Sequence, residues 1–126
     1  MHHSRICAVL IDCKTSDVDE AARFWGEALG RPVDPSHPGS RGNYRMLETP
    51  PDEPIVQIQR VDHESRVHID IETDDIPAEV TRLGRLGAKV VNHLERWVVI
   101  AHRPTLASYG YSVPVSRSMP TGGTKN

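Results

Sequence analysis

The chain has 126 residues, of which 37% are hydrophobic, a length typical of one compact domain or of two small modules that share a core. Its formal net charge of -2 and the lack of any basic run exclude an electrostatic basis for binding nucleic acid or an anionic membrane. The sequence shows neither an apolar stretch of membrane-spanning length nor a cleavable signal pattern at its start. We therefore expect a cytoplasmic protein.

The chain begins with a predicted strand and a helix. His2 and His3 are interpreted as part of a frayed terminus or as a cloning remnant. Residues 5–13 are predicted to form a strand, with Ile6, Ala8, Leu10 and Asp12 on one face and Cys7, Val9, Ile11 and Cys13 on the other. Asp17 begins a helix that runs through Leu29, and helical spacing gives it a buried stripe of Val18, Ala21, Ala22, Trp25, Ala28 and Leu29.

The middle of the chain alternates short strands with turns. Residues 31–34 are predicted to form a short edge strand, and the Pro, Gly and Ser content of residues 35–43 predicts a loop. Such a loop at a sheet edge is a candidate lid or rim. Strands are predicted at 44–48 and 55–61, joined by the proline-rich turn TPPDEP.

The clearest pattern in the chain runs from Arg66 to Val91. Apolar and polar residues alternate strictly, so that one face of a strand carries Val67, Ile69, Ile71 and Thr73 and the other carries Arg66, His68, Asp70 and Glu72. Asp74 and Asp75 supply helix N-cap chemistry, and Pro77 suits a first helical turn. Ile76, Val80, Leu83 and Leu86 keep helical spacing until Gly87 ends the helix.

This strand and helix repeat an earlier pair. IDIETDDI at 69–76 aligns with IDCKTSDV at 11–18 at an offset of 58 residues, which predicts an internal duplication. Further strands are predicted at 89–94, 96–101 and 109–115. The element order is therefore βαβββ, twice. We expect one domain over 1–115, with modules 5–61 and 66–115 and a disordered tail over 116–126.

The phrases IDCKTSDVDEAARFWGEALG and VHIDIETDDIPAEVTRLGRLGA resemble the glyoxalase-like branch of the vicinal oxygen chelate superfamily, which also holds bleomycin-resistance proteins and extradiol dioxygenases. The resemblance implies an α+β fold in which two tandem βαβββ modules form a curled mixed sheet with a central cleft. Metal-dependent members place His or Glu ligands on the first and last strands of each module. Only His68 matches here.

The other ligand positions of that pattern lack metal-binding side chains. The equivalent of His68 is Leu10, or Ala8 if a bulge intervenes, and the end of module one offers Gln57 or Gln59. The strand over 109–115 contains no Asp, Glu, His or Cys. We therefore expect no metal site and no cofactor.

The polar strand face is the predicted centre of the functional cleft. His68, Asp70 and Asp12 are the candidate catalytic acid and base residues, although both aspartates also suit backbone hydrogen bonding near a module interface. Gln57, Gln59 and Trp97 join them as candidate ligand contacts. The alternatives are that the glutamines face solvent and that Trp97 packs beneath a helix.

Four functions follow from these observations. The first is a metal-independent protein that binds a small polar or carbonyl-bearing molecule in the cleft. The second is a metal-free lyase or isomerase of the same superfamily that uses His68 with Asp70 or Asp12. A metal-dependent lyase or dioxygenase and a regulatory module without a ligand are the others. The partner is expected to be a small molecule, and a homodimer is left open.

Overall fold

The computed structural model describes residues 1–93, 97–101 and 111–114, with the side chains of 97 and 111–114 not among the described features. It contains seven strands and two helices in these ranges: β1 Ser4–Lys14, α1 Val18–Leu29, β2 Tyr44–Met46, β3 Ile55–Val61, β4 Arg66–Thr73, α2 Ile76–Arg85, β5 Lys89–His93, β6 Trp97–Ala101 and β7 Tyr111–Pro114. The chain divides into two compact units, one over residues 8–67 and the other formed by residues 1–7 with the described residues from 68 onward.

In the first unit, residues 8–67, the central strand is β3. It runs parallel to β1, with Asp12 beside Gln59, and antiparallel to β2, with Tyr44 also beside Gln59. Helix α1 covers one face of these strands. The buried core there consists of Val18, Ala22, Leu47 and Ile58, against which Ile11, Cys13, Ala21, Trp25, Val33 and Val56 pack.

Both ends of α1 follow from local chemistry. The Asp17 carboxylate accepts hydrogen bonds from the backbone N–H groups of Asp19 and Glu20 at 3.1 and 3.2 Å, which satisfies donors that a helix start leaves unpaired. Gly30 ends the helix in the left-handed conformation at φ 69°, which residues with a Cβ atom adopt at a cost.

In the second unit β4 runs parallel to β7, which is antiparallel to β6, and β6 is antiparallel to β5. A bulge between Val90 and Asn92 interrupts the pairing of β5. Helix α2 begins after Asp75, whose side chain accepts from the Ala78 N–H at 3.0 Å. Val98 and Ile100 form the buried core, with Ile76, Val80, Leu83 and Ala88 packed against them.

The two units repeat one pairing scheme. In each, the first strand is parallel to the last, the last is antiparallel to the one before it, and an aspartate caps the intervening helix. The two capping residues, Asp17 and Asp75, are separated by the predicted offset, and Leu10 and His68 precede them by the same number of residues. The predicted α+β fold with a mixed sheet is confirmed.

Several sequence predictions differ from the structure in detail. Residues 31–34 form only an isolated bridge from Val33 to Leu47, because the chain leaving Gly30 makes a single antiparallel contact there. The strand predicted over 44–48 is shorter in the structure and ends at Met46. Residues 94, 96, 109, 110 and 115 of the later predicted strands, and the predicted tail over 116–126, lie outside the described residues.

The predicted helical stripes were too wide. Leu29 and Leu86 are 46% and 65% exposed, because each lies at the end of its helix, beyond the turns that contact the strands. Two residues that the apolar stripe omits, Gly26 and Glu79, are buried instead. The prediction of a frayed start was also wrong, since His2 and His3 both contact side chains of the second unit.

Candidate functional site

One candidate face lies on the first unit, on the side of β1, β2 and β3 away from α1. Strand alternation places Ile11 and Ile58 toward the helix, so their neighbours Asp12 and Gln59 face the other way. Pairing aligns Asp12, Gln59 and Tyr44 in one row across the three strands, and Leu10, Gln57 and Met46 in the next row. This face therefore carries one polar row and one largely apolar row.

Asp12 is the most buried charged group of this face, with a side chain that is 2% exposed. Its Oδ2 lies 3.6 Å from Nε of Arg66, which is partly exposed. A carboxylate removed from water needs such a compensating charge, because unpaired burial costs several kcal/mol. The structure therefore gives Asp12 an ion-pairing role within the unit, and catalysis by Asp12 stays a prediction.

Both glutamine side chains of the face make hydrogen bonds within the unit. Gln57 Nε2 donates to the Gly39 carbonyl at 2.9 Å, and Gln59 Nε2 donates to the Tyr44 hydroxyl at 3.0 Å. These bonds hold the two amide groups in fixed orientations. Neither glutamine has the wholly solvent-facing arrangement that was one sequence alternative.

The loop over residues 35–43 lies against the apolar row of this face. Ser40 Oγ accepts from the Met46 N–H at 2.7 Å and donates to the Asp34 carbonyl at 2.6 Å. A Cβ atom at Gly39 would lie 2.7 Å from Met46 Cε and 3.1 Å from Gln57 Nε2, so the loop backbone is in close contact with the strands. This loop thus covers Gln57 and Met46, as a lid or rim does.

The second candidate face is the polar side of β4 in the second unit. His68 Nε2 lies 3.4 Å from Asp70 Oδ1, and the two side chains retain 14% and 24% of their exposure. Glu72, further along the same face, is buried and pairs with Arg5. The polar face predicted from alternation is thus largely paired within the protein, while His68 and Asp70 keep part of their surface accessible.

An imidazole beside a carboxylate can hold, donate or accept a proton, and the carboxylate fixes the direction of the ring. At 3.4 Å the His68–Asp70 contact is at the long end for a hydrogen bond, and it becomes an ion pair when the imidazole is protonated. A polar ligand placed beside the pair would meet a donor and an acceptor on adjacent positions of one strand face.

Sequence reasoning missed a buried carboxylate in this unit. Glu79 on α2 is fully buried, and Arg82 donates to both of its oxygens at 2.9 and 2.6 Å. His2 Nε2 lies 2.8 Å from Glu79 Oε1. The Arg82 guanidinium, aided by hydrogen bonds from His2 and Ser4, outweighs burial and lowers the pKa of Glu79 to about 2. Its position could have signalled this role, because Glu79 shares the helical stripe of Ile76 and Leu83.

Trp97 and the two cysteines are the remaining residues to place in the structure. The backbone of Trp97 begins β6, but its side chain lies outside the described features, so its ligand contact stays a prediction. Cys7 and Cys13 are partly buried thiols, and burial raises the pKa of the Cys13 thiol.

The ligand positions of the metal-dependent pattern do not suit a divalent cation. Leu10 is apolar and 3% exposed, and the amides of Gln57 and Gln59 are held by the hydrogen bonds described above. Among the described residues, no three His, Cys, Asp or Glu side chains are grouped closely enough to hold a metal ion. No helix within the same ranges is long and apolar enough to cross a membrane.

Comparison with protein families identifies one match, to the model of the glyoxalase-like domain over residues 8–107. No curated protein is significantly similar in sequence. The match spans most of the chain and includes both helices and β1 through β6 from Ala8 onward.

Solved structures with the same fold include methylmalonyl-CoA epimerases. The Streptomyces coelicolor enzyme in complex with 2-nitronate-propionyl-CoA has a TM-score of 0.59 at 16% identity, covering 90% of this chain and 98% of that one. The Mycobacterium tuberculosis enzyme has a TM-score of 0.55 at 16% identity, covering 89% of each chain. A hypothetical protein from Bacillus halodurans has a TM-score of 0.60 at 12% identity, covering 94% and 99%. Identities this low establish the shared fold alone.

Proposed function

Because the chain belongs to the glyoxalase-like domain family, we propose that it binds a small polar or carbonyl-bearing molecule at the His68–Asp70 pair on β4. The observation that supports this proposal is the pair itself, an imidazole and a carboxylate 3.4 Å apart, both partly exposed. The vicinal oxygen chelate fold commonly carries small-molecule sites, and its solved relatives include complexes with CoA esters.

The other charged groups of the two candidate faces support the choice of this pair. Asp12 and Glu72 are buried and have arginine partners, so a ligand would have to displace Arg66 or Arg5 to reach them. The side chains of His68 and Asp70 keep 14% and 24% of their surface accessible, so a ligand can reach part of each. A ligand carbonyl or carboxylate would accept a hydrogen bond from the imidazole, and a ligand hydroxyl or amide would donate to Asp70.

A thermal-shift screen of small polar metabolites tests the proposal with three variants. His68→Ala and Asp70→Asn remove the two members of the pair. His63→Ala is the matched control, since His63 is exposed and contacts only the neighbouring Glu64 carbonyl among the described hydrogen bonds. Ligands that raise the melting temperature of the wild type and of His63→Ala, but not of the pair variants, support the site. Equal shifts in all four proteins contradict it.

The second candidate function is a metal-free isomerase, and it is favoured by the fold shared with methylmalonyl-CoA epimerases. His68 can remove a proton next to a carbonyl, and Asp70 can orient the ring. An epimerase must also return the proton to the opposite side of the carbon, whereas His68 and Asp70 lie two positions apart on one strand face. The pair by itself therefore supports binding or one-sided proton exchange better than full epimerisation.

Deuterium exchange separates the two functions. The protein is incubated with methylmalonyl-CoA in D₂O containing a chelator, and proton loss at the α-carbon is followed by NMR. Exchange that is abolished in His68→Gln supports the isomerase, and exchange equal to that of the buffer leaves the binding function. The sequence leaves a homodimer open, and light scattering of the purified chain measures the oligomeric state directly.

A further inference from the structure

A cavity of about 460 Å³ lies between α1 and the chain that follows it, entirely within the unit of residues 8–67. Its walls include Ala22, Gly26, Gly30, Pro32 and Val33, and three charged residues, Arg23, Glu27 and Arg31, also line it. Because Ala22 and Val33 belong to the core beneath α1, this cavity is on the helix side of the strands. It is therefore on the opposite side of the strands from Asp12 and Gln59, and neither His68 nor Asp70 is among its lining residues.

Backbone geometry holds this cavity in shape. The Arg31 N–H donates to the Gly26 carbonyl at 2.8 Å, and Gly30 turns the chain back at φ 69°. A Cβ atom at Gly26 would lie 2.8 Å from the Arg31 carbonyl oxygen, so the chain approaches the helix as closely as a glycine permits. The apolar walls are thus fixed by secondary structure and by a close backbone contact, and the volume is within the range of small-ligand pockets.

Arg31 provides the polar group of the cavity. Its side chain is 18% exposed and forms an ion pair with Glu53. The Nη1 atom is shielded from water and has no hydrogen-bond partner within the part of the chain that the structure describes. A guanidinium has five donors in a planar fork, and leaving one unsatisfied out of water has a free-energy cost. Arg31 thus lines the cavity and carries one donor, Nη1, that has no acceptor among the described residues.

We propose that this cavity binds a small monocarboxylate with an apolar body, whose carboxylate takes hydrogen bonds from Arg31. The apolar portion fills the space between Ala22, Gly26 and Val33. A turn of the guanidinium toward the cavity brings Nη1 to the ligand. We choose a carboxylate as the ligand group because its two oxygens can accept two parallel hydrogen bonds from the planar N–H donors of a guanidinium. At the rim, Arg23 and Glu27 form an exposed ion pair 3.8 Å apart, so their charges offset each other and Arg31 is left as the cation that selects the carboxylate.

Decanoate and 1-decanol are the probes, because they share an apolar chain and differ in the carboxylate. Both are titrated, below micelle formation, into uniformly ¹⁵N-labelled full-length protein while the amide spectrum is recorded. We expect decanoate to shift the amide signals of Ala22, Gly26, Arg31 and Val33 and to bind about tenfold more tightly than 1-decanol. Equal affinities, shifts confined to other residues, or no shifts with either probe would overturn the proposal.

Four variants locate the carboxylate contact. Arg31→Met should reduce decanoate affinity to that of 1-decanol. Glu53→Gln removes the same ion pair but keeps the guanidinium, so it should bind decanoate at least as tightly as the wild type. If Arg31→Met does not fold, Arg31→Lys replaces it, with an intermediate loss expected. Arg23→Met is the matched rim control and should change affinity less than about twofold. Decanoate binding that is lost in Glu53→Gln, or retained in both Arg31 variants, contradicts the assignment.

His68→Ala separates this inference from the proposed function. The variant should bind decanoate like the wild type, because His68 belongs to the other unit and does not line the cavity. Failure of the His68–Asp70 site in the thermal-shift screen would leave the decanoate result unaffected.

Discussion

Glu79 is the residue whose substitution should change stability in the most diagnostic way. Its carboxylate is fully buried and receives two hydrogen bonds from Arg82 and one from His2. These contacts lower its pKa from an ordinary value of 4.5 to about 2. Because the folded pKa is depressed, the contribution is complete above pH 4.5 and is lost as the pH falls toward 2. Each pKa unit corresponds to about 1.4 kcal/mol, so a shift from 4.5 to about 2 contributes at most roughly 3–4 kcal/mol at pH 7.

Urea unfolding of the wild type and of Glu79→Gln, at several pH values between 7 and 2.5, measures this contribution. We expect the variant to be less stable by roughly 2–3 kcal/mol at neutral pH, with the difference shrinking toward zero at the acidic end. The exposed Asp19, Asp34 and Asp74 also have lowered pKa values, from hydrogen bonds with Arg45, Ser36 and His3 respectively, but they titrate alike in both proteins and cancel from the difference.

Glu20→Gln, on the exposed part of α1, is the matched control and should change the free energy of unfolding by less than about 0.5 kcal/mol. His2→Ala should reproduce part of the Glu79→Gln loss, since His2 is one of the partners. A Glu79→Gln variant as stable as the wild type at pH 7, or a difference that does not change with pH, would refute this account of the buried carboxylate.

Three further predictions concern close contacts and charges. Gly26→Ala should destabilise the folded protein by about 1–3 kcal/mol in thermal unfolding, since the new Cβ meets the Arg31 carbonyl at 2.8 Å. Gly84→Ala in α2 is the control: its new Cβ meets nothing within 4 Å, so it should stabilise the folded protein by about 0.5–1 kcal/mol. Gly39→Ala should destabilise less than Gly26→Ala, because its new Cβ meets only the ends of the Met46 and Gln57 side chains, which can move, and an equal or larger loss in thermal unfolding would contradict this reasoning. Arg66→Met should lower the free energy of unfolding by roughly 1–2 kcal/mol, because it leaves Asp12 buried without this partner. The double variant Arg66→Met with Asp12→Asn should recover much of that loss. Additive losses in the double-mutant cycle would argue against coupling between the two residues.

Apart from the strand predicted over 31–34, the element order and the helix starts could be predicted from the sequence, because they depend on local signals. Asp17 and Asp75 were expected as caps from their positions before apolar helical stripes, and both accept backbone hydrogen bonds. The strict alternation of Arg66–Thr73 predicted β4 and placed His68 beside Asp70 on one face. These features need only neighbours along the chain.

Features set by residues distant in the chain could not be predicted in the same way. Glu79 meets His2 across 77 positions, and Gln57 meets the Gly39 carbonyl across 18. A glutamate within a helix usually faces solvent, and although its place on the stripe of Ile76 and Leu83 indicates burial, the partners of Glu79 are shown only by the tertiary structure. The polar face of β4 likewise suggested an open site, and the structure shows that Arg5 and Arg66 neutralise part of the two candidate faces.

The most direct test of the central claim observes the His68 ring itself. Long-range ¹H–¹⁵N spectra of the imidazoles are recorded while a ligand from the thermal-shift screen is titrated into the wild-type protein. Binding at the His68–Asp70 pair predicts saturable changes in the two His68 ring nitrogen shifts, with the His63 signals unchanged. A ligand that saturates the protein without moving the His68 nitrogens would contradict the claim.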